Sequence, residues 1–331
     1  MVKYFQRILV WRSNMIIYEN AGAISFPLGG IGAGSVGLAG DGRLIDFEWF
    51  HRPNRCSINP FSHFAIKAEA EGALRDCRVL QGDLQSGYMG NPGTGRELWV
   101  YGNGADRGTM AGLVHFSNTV FQGPFPIAQI KYQDPAFPGC IQLQAMNPLI
   151  PMNDRDSSLP AAFFQFTLEN NTKESLEYTL AFSCNNLFGP GTRNTYYAKD
   201  GISGICMTGS REDTDPLFGN AVIAALDGAA TYQEHWYRGG WFDEITSFWR
   251  DFQKTGPLQN RAYSQPGDGT TDVCTIASHT RLAPGEKTQL RFLLTWYVPW
   301  TEKYWDKKHP RWKTYYASLF KDARQVAAYC L

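Results

Sequence analysis

Three kinds of residue in this chain carry spacings that can do chemistry: a run of glycines, isolated histidines and acidic pairs in loops. Gly32, Gly34 and Gly37 in GIGAGSVG match a dinucleotide fingerprint, a motif that works by placing a pyrophosphate on the N-terminus of a helix opening after the glycines. Here Gly40, Asp41 and Gly42 follow at once and turn the chain into a hairpin. No helix opens, so the run reads as glycines that let strands approach closely. Ala33-Gly34-Ser35-Val36-Gly37 has the outline of a nucleophile elbow with Ala at its first glycine. An elbow needs the same following helix, so Ser35 reads as an ordinary strand residue. His51, His63, His115, His235, His279 and His309 are isolated, without the short spacing of a metal pair. Asp154 and Asp156 in PMNDRDSS, and Asp213 and Asp215 in REDTDP, could ligate calcium or serve as acid and base, although loop carboxylates of this kind are usually just solvated. The expectation is therefore no metal site and no cofactor. Asn170-Asn171-Thr172 matches a glycosylation acceptor, which has meaning only on an exported chain.

The elements that must position these residues are strands. From Ala162 to Cys184 runs AFFQFTLENNTKESLEYTLAFSC, two alternating stretches joined at a polar Asn170-Asn171-Thr172 turn. Leu176, Tyr178, Leu180 and Phe182 share one face while Ser175, Glu177 and Thr179 share the other, the period of a half-buried antiparallel strand. Asp41-Gly42, Asp200-Gly201 and Asp227-Gly228 each separate two such stretches and supply the positive φ that a tight hairpin turn requires. Ala283-Pro284-Gly285-Glu286 does similar work before a long strand carrying Leu290, Phe292, Leu294 and Trp296 on one face. Two segments depart from this pattern. WFDEITSFWRDF (241–252) has helical spacing, acidic residues in its first turn and Gly256-Pro257 beyond its end, which predicts a short amphipathic helix. Trp312, Tyr315, Tyr316, Leu319, Phe320, Ala323, Val326, Ala327 and Cys330 recur at helical spacing too, predicting a C-terminal helix without a capping residue at its end.

Composition narrows the function classes. Lys plus Arg and Asp plus Glu both total 31, so no overall basic field exists to hold nucleic acid or an anionic membrane. Aromatic residues make up 14% of the chain, with ten Trp, enough for a thick core and also for a sugar-facing surface. Nowhere do about 18 apolar residues run together, so no membrane span is expected. Arg12, Ser13 and Asn14 interrupt the apolar run after Lys3 and Arg7 before it reaches the length of an export signal. The seven cysteines are scattered, odd in number and without a CxxC pair, which reads as reduced, mostly buried thiols and a cytoplasmic location.

Several long blocks resemble glycoside hydrolase family 116, the family of β-glucosidases and β-xylosidases that includes the non-lysosomal glucosylceramidase. They are FPLGGIGAGSVGLAGDGRLIDFEWFHRPN (26–54), the block 123–170 that contains Ser157-Ser158-Leu159-Pro160, and Leu294-Thr295-Trp296-Tyr297 followed by YYASLFKDARQVAAY. The resemblance covers roughly residues 16–331 and leaves 1–14 as an unmatched N-terminal extension, with Met15 a plausible start. It implies an all-β fold: a large two-sheet antiparallel β-sandwich over 15–300 with the short internal helix, then a linker helix over 301–331 toward an α/α toroid that holds the active site. Retaining enzymes of this kind use a nucleophilic carboxylate and a general acid about 5 Å apart. Both belong to the helical domain, so no residue here inherits a catalytic role. The resemblance thus implies a non-catalytic half that braces the toroid, which would be its partner and would act on a β-glucoside. A free-standing carbohydrate-binding sandwich is the alternative. Two further expectations concern surfaces. Trp49 and Arg52 of FEWFHRPN, with Trp241 after Arg238-Gly239-Gly240, are candidates for the substrate rim or interdomain contact, an aromatic and a cation suited to sugar hydroxyls or a carboxylate. The apolar face of the C-terminal helix (Tyr316, Leu319, Phe320, Val326) is the candidate for self-association if it stays exposed.

Overall fold

The computed structural model describes residues 16–55, 57, 59–83, 110–239, 243–265, 268–303, 305–306, 308 and 311–331. In chain order the described strands are β1 (Tyr18–Glu19), β2 (Phe26–Leu28), β3 (Val36–Leu38), β4 (Leu44–Ile45), β5 (His63–Ala70), β6 (Ala73–Val79), β7 (Asn118–Gln122), β8 (Ile127–Gln133), β9 (Cys140–Met146), β10 (Ala161–Glu169), β11 (Leu176–Asn185), β12 (Arg193–Lys199), β13 (Ile202–Thr208), β14 (Asn220–Ala225), β15 (Ala229–Gln233), β16 (Val273–Leu282), β17 (Lys287–Tyr297), β18 (Trp300–Glu302) and β19 (Arg311–Lys313). A nine-stranded sheet has the order β1-β7-β8-β9-β10-β17-β14-β13-β12, and a five-stranded sheet the order β15-β16-β11-β5-β6. All pairings within both sheets are antiparallel. The helices are α1 (Asp154–Ser157), α2 (Glu244–Phe252) and α3 (Ala323–Tyr329), with a 3₁₀ turn at Tyr315–Ser318. The all-β sandwich expected from the sequence is the fold observed, and no helix among the described residues is long and apolar enough to cross a membrane.

Strand alternation divides the apolar residues among three layers. Phe164, Phe166 and Phe292 of the large sheet meet Phe64 and Phe182 of the small one, with Phe64 and Phe182 stacked at 4.2 Å. Each such ring removed from water stabilises the fold by roughly 1.5–3 kcal/mol. Phe163, Val222 and Leu293 point the other way, to the outer face of the large sheet. On the outer face of the small sheet, Ala65, Ala181 and Ala277 are covered by Ile245, Phe248, Trp249 and Phe252 of α2. The small side chains beneath leave room for the large ones above.

Lys67 is fully buried on this outer face. Its ammonium lies 3.2 Å from Glu69 Oε1 and donates to the carbonyls of Lys254 and Gly256, the latter at 2.6 Å, while Glu69 accepts from the Gly256 N–H at 3.0 Å. One ion pair thereby fastens the chain after α2 to β5. Burial holds the Lys67 pKa below the ordinary lysine value, with Glu69 opposing the shift.

Three of the expected hairpins are crossovers instead. Asp41-Gly42 does join the paired strands β3 and β4, and Asp200 (φ 53°) with Gly201 (φ 80°) joins β12 to β13. Asn170-Asn171-Thr172, however, leads from β10 in the large sheet to β11 in the small one. Asp227-Gly228 leads from β14 to β15, and Ala283-Pro284-Gly285-Glu286 from β16 to β17, again between sheets. Alternation looks the same in a hairpin and in an arch; hydrogen bonds to other segments decide. Asp227 accepts from the backbone N–H and the guanidinium of Arg291. The other two crossovers lace together, since Asn170 N–H donates to Glu286 O, Gly285 N–H to Asn170 O, and the buried Asn170 amide to Leu282 O.

The segment after β17 corrects a second expectation. It is not one linker helix: residues 311–313 form β19, Tyr315–Ser318 a 3₁₀ turn and Ala323–Tyr329 the helix α3. Tyr316, Phe320, Val326 and Ala327 are buried against the outer face of the large sheet. The face expected to promote self-association is therefore turned inward, with only Leu319 partly buried at its margin.

Candidate functional site

The described residues that gather the resemblance-bearing segments lie on and beside the outer face of the large sheet. The glycine run begins there. Gly30 N–H donates to Leu159 O at 2.9 Å and Ile31 N–H to Ser157 O at 2.7 Å, so Ser157-Ser158-Leu159-Pro160 seats the glycine loop by backbone bonds. Ser157 Oγ bonds both the N–H and the carbonyl of Ile150 at 2.9 Å, and Asn147 donates to Pro27 O and Gly29 O. A Cβ on Gly29 (φ 120°) would stand 2.6 Å from Gly34 O and 2.8 Å from the Trp296 ring. Gly29, Gly30 and Gly34 serve close approach, Gly32 stands in open space at a positive φ (67°), and Ser35 is followed by the short strand β3.

Trp49 is not a rim residue. It is 0% exposed, stacked between Trp296 at 5.6 Å and Phe188 at 6.0 Å. Phe47 and Trp49 alternate onto the inward face, where a ring of this area is worth most. Arg52, by contrast, has 57% of its side chain exposed and is ion-paired to Glu302 of β18. The structure thus separates Trp49 from Arg52 rather than bringing them together, and Trp241 lies outside the described residues. The neighbouring His51 places Nε2 3.1 Å from Val298 O, and burial lowers its pKa against that bond. Tyr316 clamps the same Val298, its hydroxyl accepting from the Val298 N–H and donating to the carbonyl.

One member of each acidic pair is already engaged. Asp156 accepts from the Asn153 amide and from Tyr329 Oη, both at 2.7 Å. The guanidinium of Arg155 lies 5.0 Å from the Tyr329 ring, so α1 and α3 are fastened together. Asp215 accepts from the Leu217 N–H and from Arg211, which hold its pKa below the usual carboxylate value. Of the described histidines, His115 and His235 each bond a nearby backbone carbonyl. His279 sits between Thr179 Oγ1 and Thr231 Oγ1 at 2.8 and 2.7 Å, and burial pushes its pKa down to about 4. Among the described residues no group of three or more His, Cys, Asp or Glu could hold a metal ion.

The residues that seat α3 escaped the sequence reading. Asp322 accepts from Gln325 N–H at 2.8 Å while Gln325 Oε1 accepts from Lys321 N–H at 2.9 Å. Asp322-Ala323-Arg324-Gln325 has the spacing of a capping box, visible in the sequence one turn after the aromatic run, with Gln325 reaching one residue beyond the N-cap to Lys321. Ala323 is then pinned to the sheet, its N–H on Asn220 Oδ1 at 2.7 Å and its carbonyl on Thr295 Oγ1 at 2.9 Å.

A family model described as beta-glucosidase 2, glycosyl-hydrolase family 116 N-term matches residues 25–331. The chain belongs to glycosyl hydrolase family 116. Its matched span begins just ahead of β2 and includes both sandwich sheets except β1, the edge strand that pairs with β7. Among solved structures, this family 116 chain is similar to a polysaccharide lyase at 10% identity and TM-score 0.35, over 87% of this chain and 33% of that one. It is similar also to a protein described as a kojibiose phosphorylase from the human microbiome, at 8% identity and TM-score 0.37, over 84% of this chain and 30% of that one. The chain thus spans about a third of the length of these matched structures.

Proposed function

We propose that this chain is the non-catalytic sandwich half of a retaining family 116 β-glucosidase, and that the layer on its large sheet braces an α/α catalytic domain. The observation that carries this reading is the two-sided use of that layer. Tyr316, Phe320 and Val326 are buried on the sheet, whereas Tyr329 of the same segment is exposed, along with Ile31 and Met152 from the loops fastened to α1. An apolar margin gathered from separate loops suits a protein partner. Arg52, exposed and held by Glu302, is the cation of this side suited to a carboxylate of that domain or to a sugar hydroxyl at the cleft rim. The engagement of Asp156 and Asp215 by internal donors supports a non-catalytic role, because retaining hydrolysis needs two carboxyls about 5 Å apart with access to the sugar. Cys77, Cys184, Cys206, Cys274 and Cys330 are buried free thiols, in keeping with a cytoplasmic setting.

The test has two arms. The purified chain is expected to turn over an aryl β-glucoside at the uncatalysed rate; activity abolished by Asp154→Asn or Asp156→Asn would overturn the non-catalytic assignment. Mixed with a separately expressed α/α domain of a family 116 β-glucosidase, it is expected to form a complex on size exclusion that Ile31→Asp and Met152→Asp weaken. Failure to associate would overturn the bracing role.

A further inference from the structure

The glutamines of this chain are unevenly spread. Seven of the fifteen lie on β7, β8, β9, β10 and β17, which are consecutive neighbours in the large sheet. The register lines them up. Gln122 pairs with Gln129, Gln129 with Gln144 and Gln144 with Gln165, and Arg291 closes the row. Two residues away along the strands, Ile127, Met146, Phe163 and Leu293 form the row that packs under the outer layer, so alternation turns the glutamines to the same outer face. On the other side the next row reads Val120, Lys131, Gln142, Thr167 and Gln289. α3 lies over β13, β14 and β17, at the far half of the sheet. On β7, β8 and β9, Gln122, Gln129, Gln142 and Gln144 are half-buried among one another and still reach solvent. Gln165 donates to Gln144 Oε1 at 3.3 Å, whereas the amides of Gln122, Gln129 and Gln142 bond no described residue.

These two rows select a ligand class by what they carry and what they lack. Their charged members are Lys131 and Arg291, and Arg291 is held by Asp227, so an anion finds a single free cation. Val120 is the apolar member, too little for an apolar ligand. The Trp and Tyr anchors of protein interfaces are missing. An amide offers a donor and an acceptor from one group, and so does each hydroxyl of a sugar. Neighbouring amides in a row stand about 4.8 Å apart, the spacing of the strands, close to the length of one sugar unit in a straight chain. The two rows are roughly 7 Å apart along the strands, so both edges of one such chain can be met. We propose that this face binds a neutral glycan in extended, ribbon-like form, laid across β7, β8 and β9 with its hydroxyls on Gln122, Gln129, Gln144 and Gln142. With no ring to stack on, each contact is weak and affinity comes from repetition along the polymer. None of these residues belongs to the loops and helices assigned to the bracing role, so the two readings fail separately.

Native electrophoresis of the chain through gels containing a soluble mixed-linkage β-glucan, arabinoxylan, dextran or polygalacturonate tests it. Retardation is expected in at least one of the two neutral ribbon polymers, β-glucan and arabinoxylan, and to be weaker in the coiled dextran and the anionic polygalacturonate. Gln129→Ala and Gln144→Ala are each expected to weaken binding about fivefold, the loss of one hydrogen bond, with the melting temperature unchanged. Lys131→Gln is expected to leave it as it was. Equal migration with and without both neutral ribbon polymers overturns the proposal. So does retardation that survives both glutamine substitutions, that disappears with Lys131→Gln, or that is strongest in dextran or polygalacturonate.

Discussion

Replacing Lys67 by Met removes the cation from a site that was built around it. Glu69 would keep the Gly256 N–H but lose its counter-charge, and the carbonyls of Lys254 and Gly256 would each lose a donor. Breaking a buried pair from one side costs about 3–5 kcal/mol, because the remaining charge is left uncompensated. In a domain of this size that corresponds to a fall in melting temperature on the order of 10 °C. Lys67→Met with Glu69→Leu removes both charges and is expected to recover at least about 1 kcal/mol over Lys67→Met, with the bonds at Gly256 still missing. The reverse single variant behaves differently. In Glu69→Gln the lysine loses the group that opposes its lowered pKa. A pKa lower in the folded than in the unfolded state means that the unfolded chain binds more protons, so the stability of Glu69→Gln is expected to rise with pH between neutral and alkaline conditions. Equilibrium urea unfolding followed by tryptophan fluorescence reads all three variants. A loss below about 1 kcal/mol for Lys67→Met, or a double variant no more stable than Lys67→Met, would refute the reasoning.

Other outcomes follow from separate contacts. Gly29→Ala forces a Cβ against Gly34 O and the Trp296 ring at a positive φ, and is expected to lower stability by roughly 2–4 kcal/mol in the same unfolding assay. His63 is buried, and burial pushes its pKa down to about 4, against its bond to the Phe61 carbonyl. Its contribution is fully present above the unfolded value near 6.5 and lost as pH falls toward 4, up to roughly 3 kcal/mol; unfolding of the wild type and His63→Asn at several pH values between these limits should show the steeper loss in the wild type. Deleting residues 312–331 uncovers Phe163, Val222, Leu293 and Tyr297, and is expected to lower the melting temperature and raise light scattering. An unchanged melt would show that the segment is not part of this domain's core.

The fold class was legible because period-2 alternation is a local property. The amphipathic helix was legible for the same reason: Ile245, Phe248, Trp249 and Phe252 cover the small sheet as their spacing implies. Which sheet a strand joins was not legible. Asn170 and Asp227 look like hairpin residues until Glu286, Leu282 and Arg291 arrive from the far end of the chain to bond them. Trp49 failed as a site residue for a related reason, since the rings of Phe188 and Trp296 that enclose it are distant in sequence. Arg52 was legible only as an exposed cation; its partner Glu302 could not be read from spacing. The capping residues of α3 were readable, but the apolar pattern of 312–330 was taken for a single helix that hid their position.

The laced crossovers bear on the order in which the molecule is made. β10 cannot complete its pairing until β17 has left the ribosome, because Ala161 lies opposite Thr295 and Glu169 opposite Lys287. β11 likewise waits for β16, from Leu176 against Leu282 to Asn185 against Val273. During synthesis, the two central aromatic strands therefore stand with one open edge each until β16 and β17 are added. Loop-closure entropy delays such pairings, and open apolar edges invite wrong partners. The nascent chain should depend on holding chaperones until β17 is made, and a stop anywhere before Tyr297 should release a product with an unfinished sheet rather than a smaller sandwich.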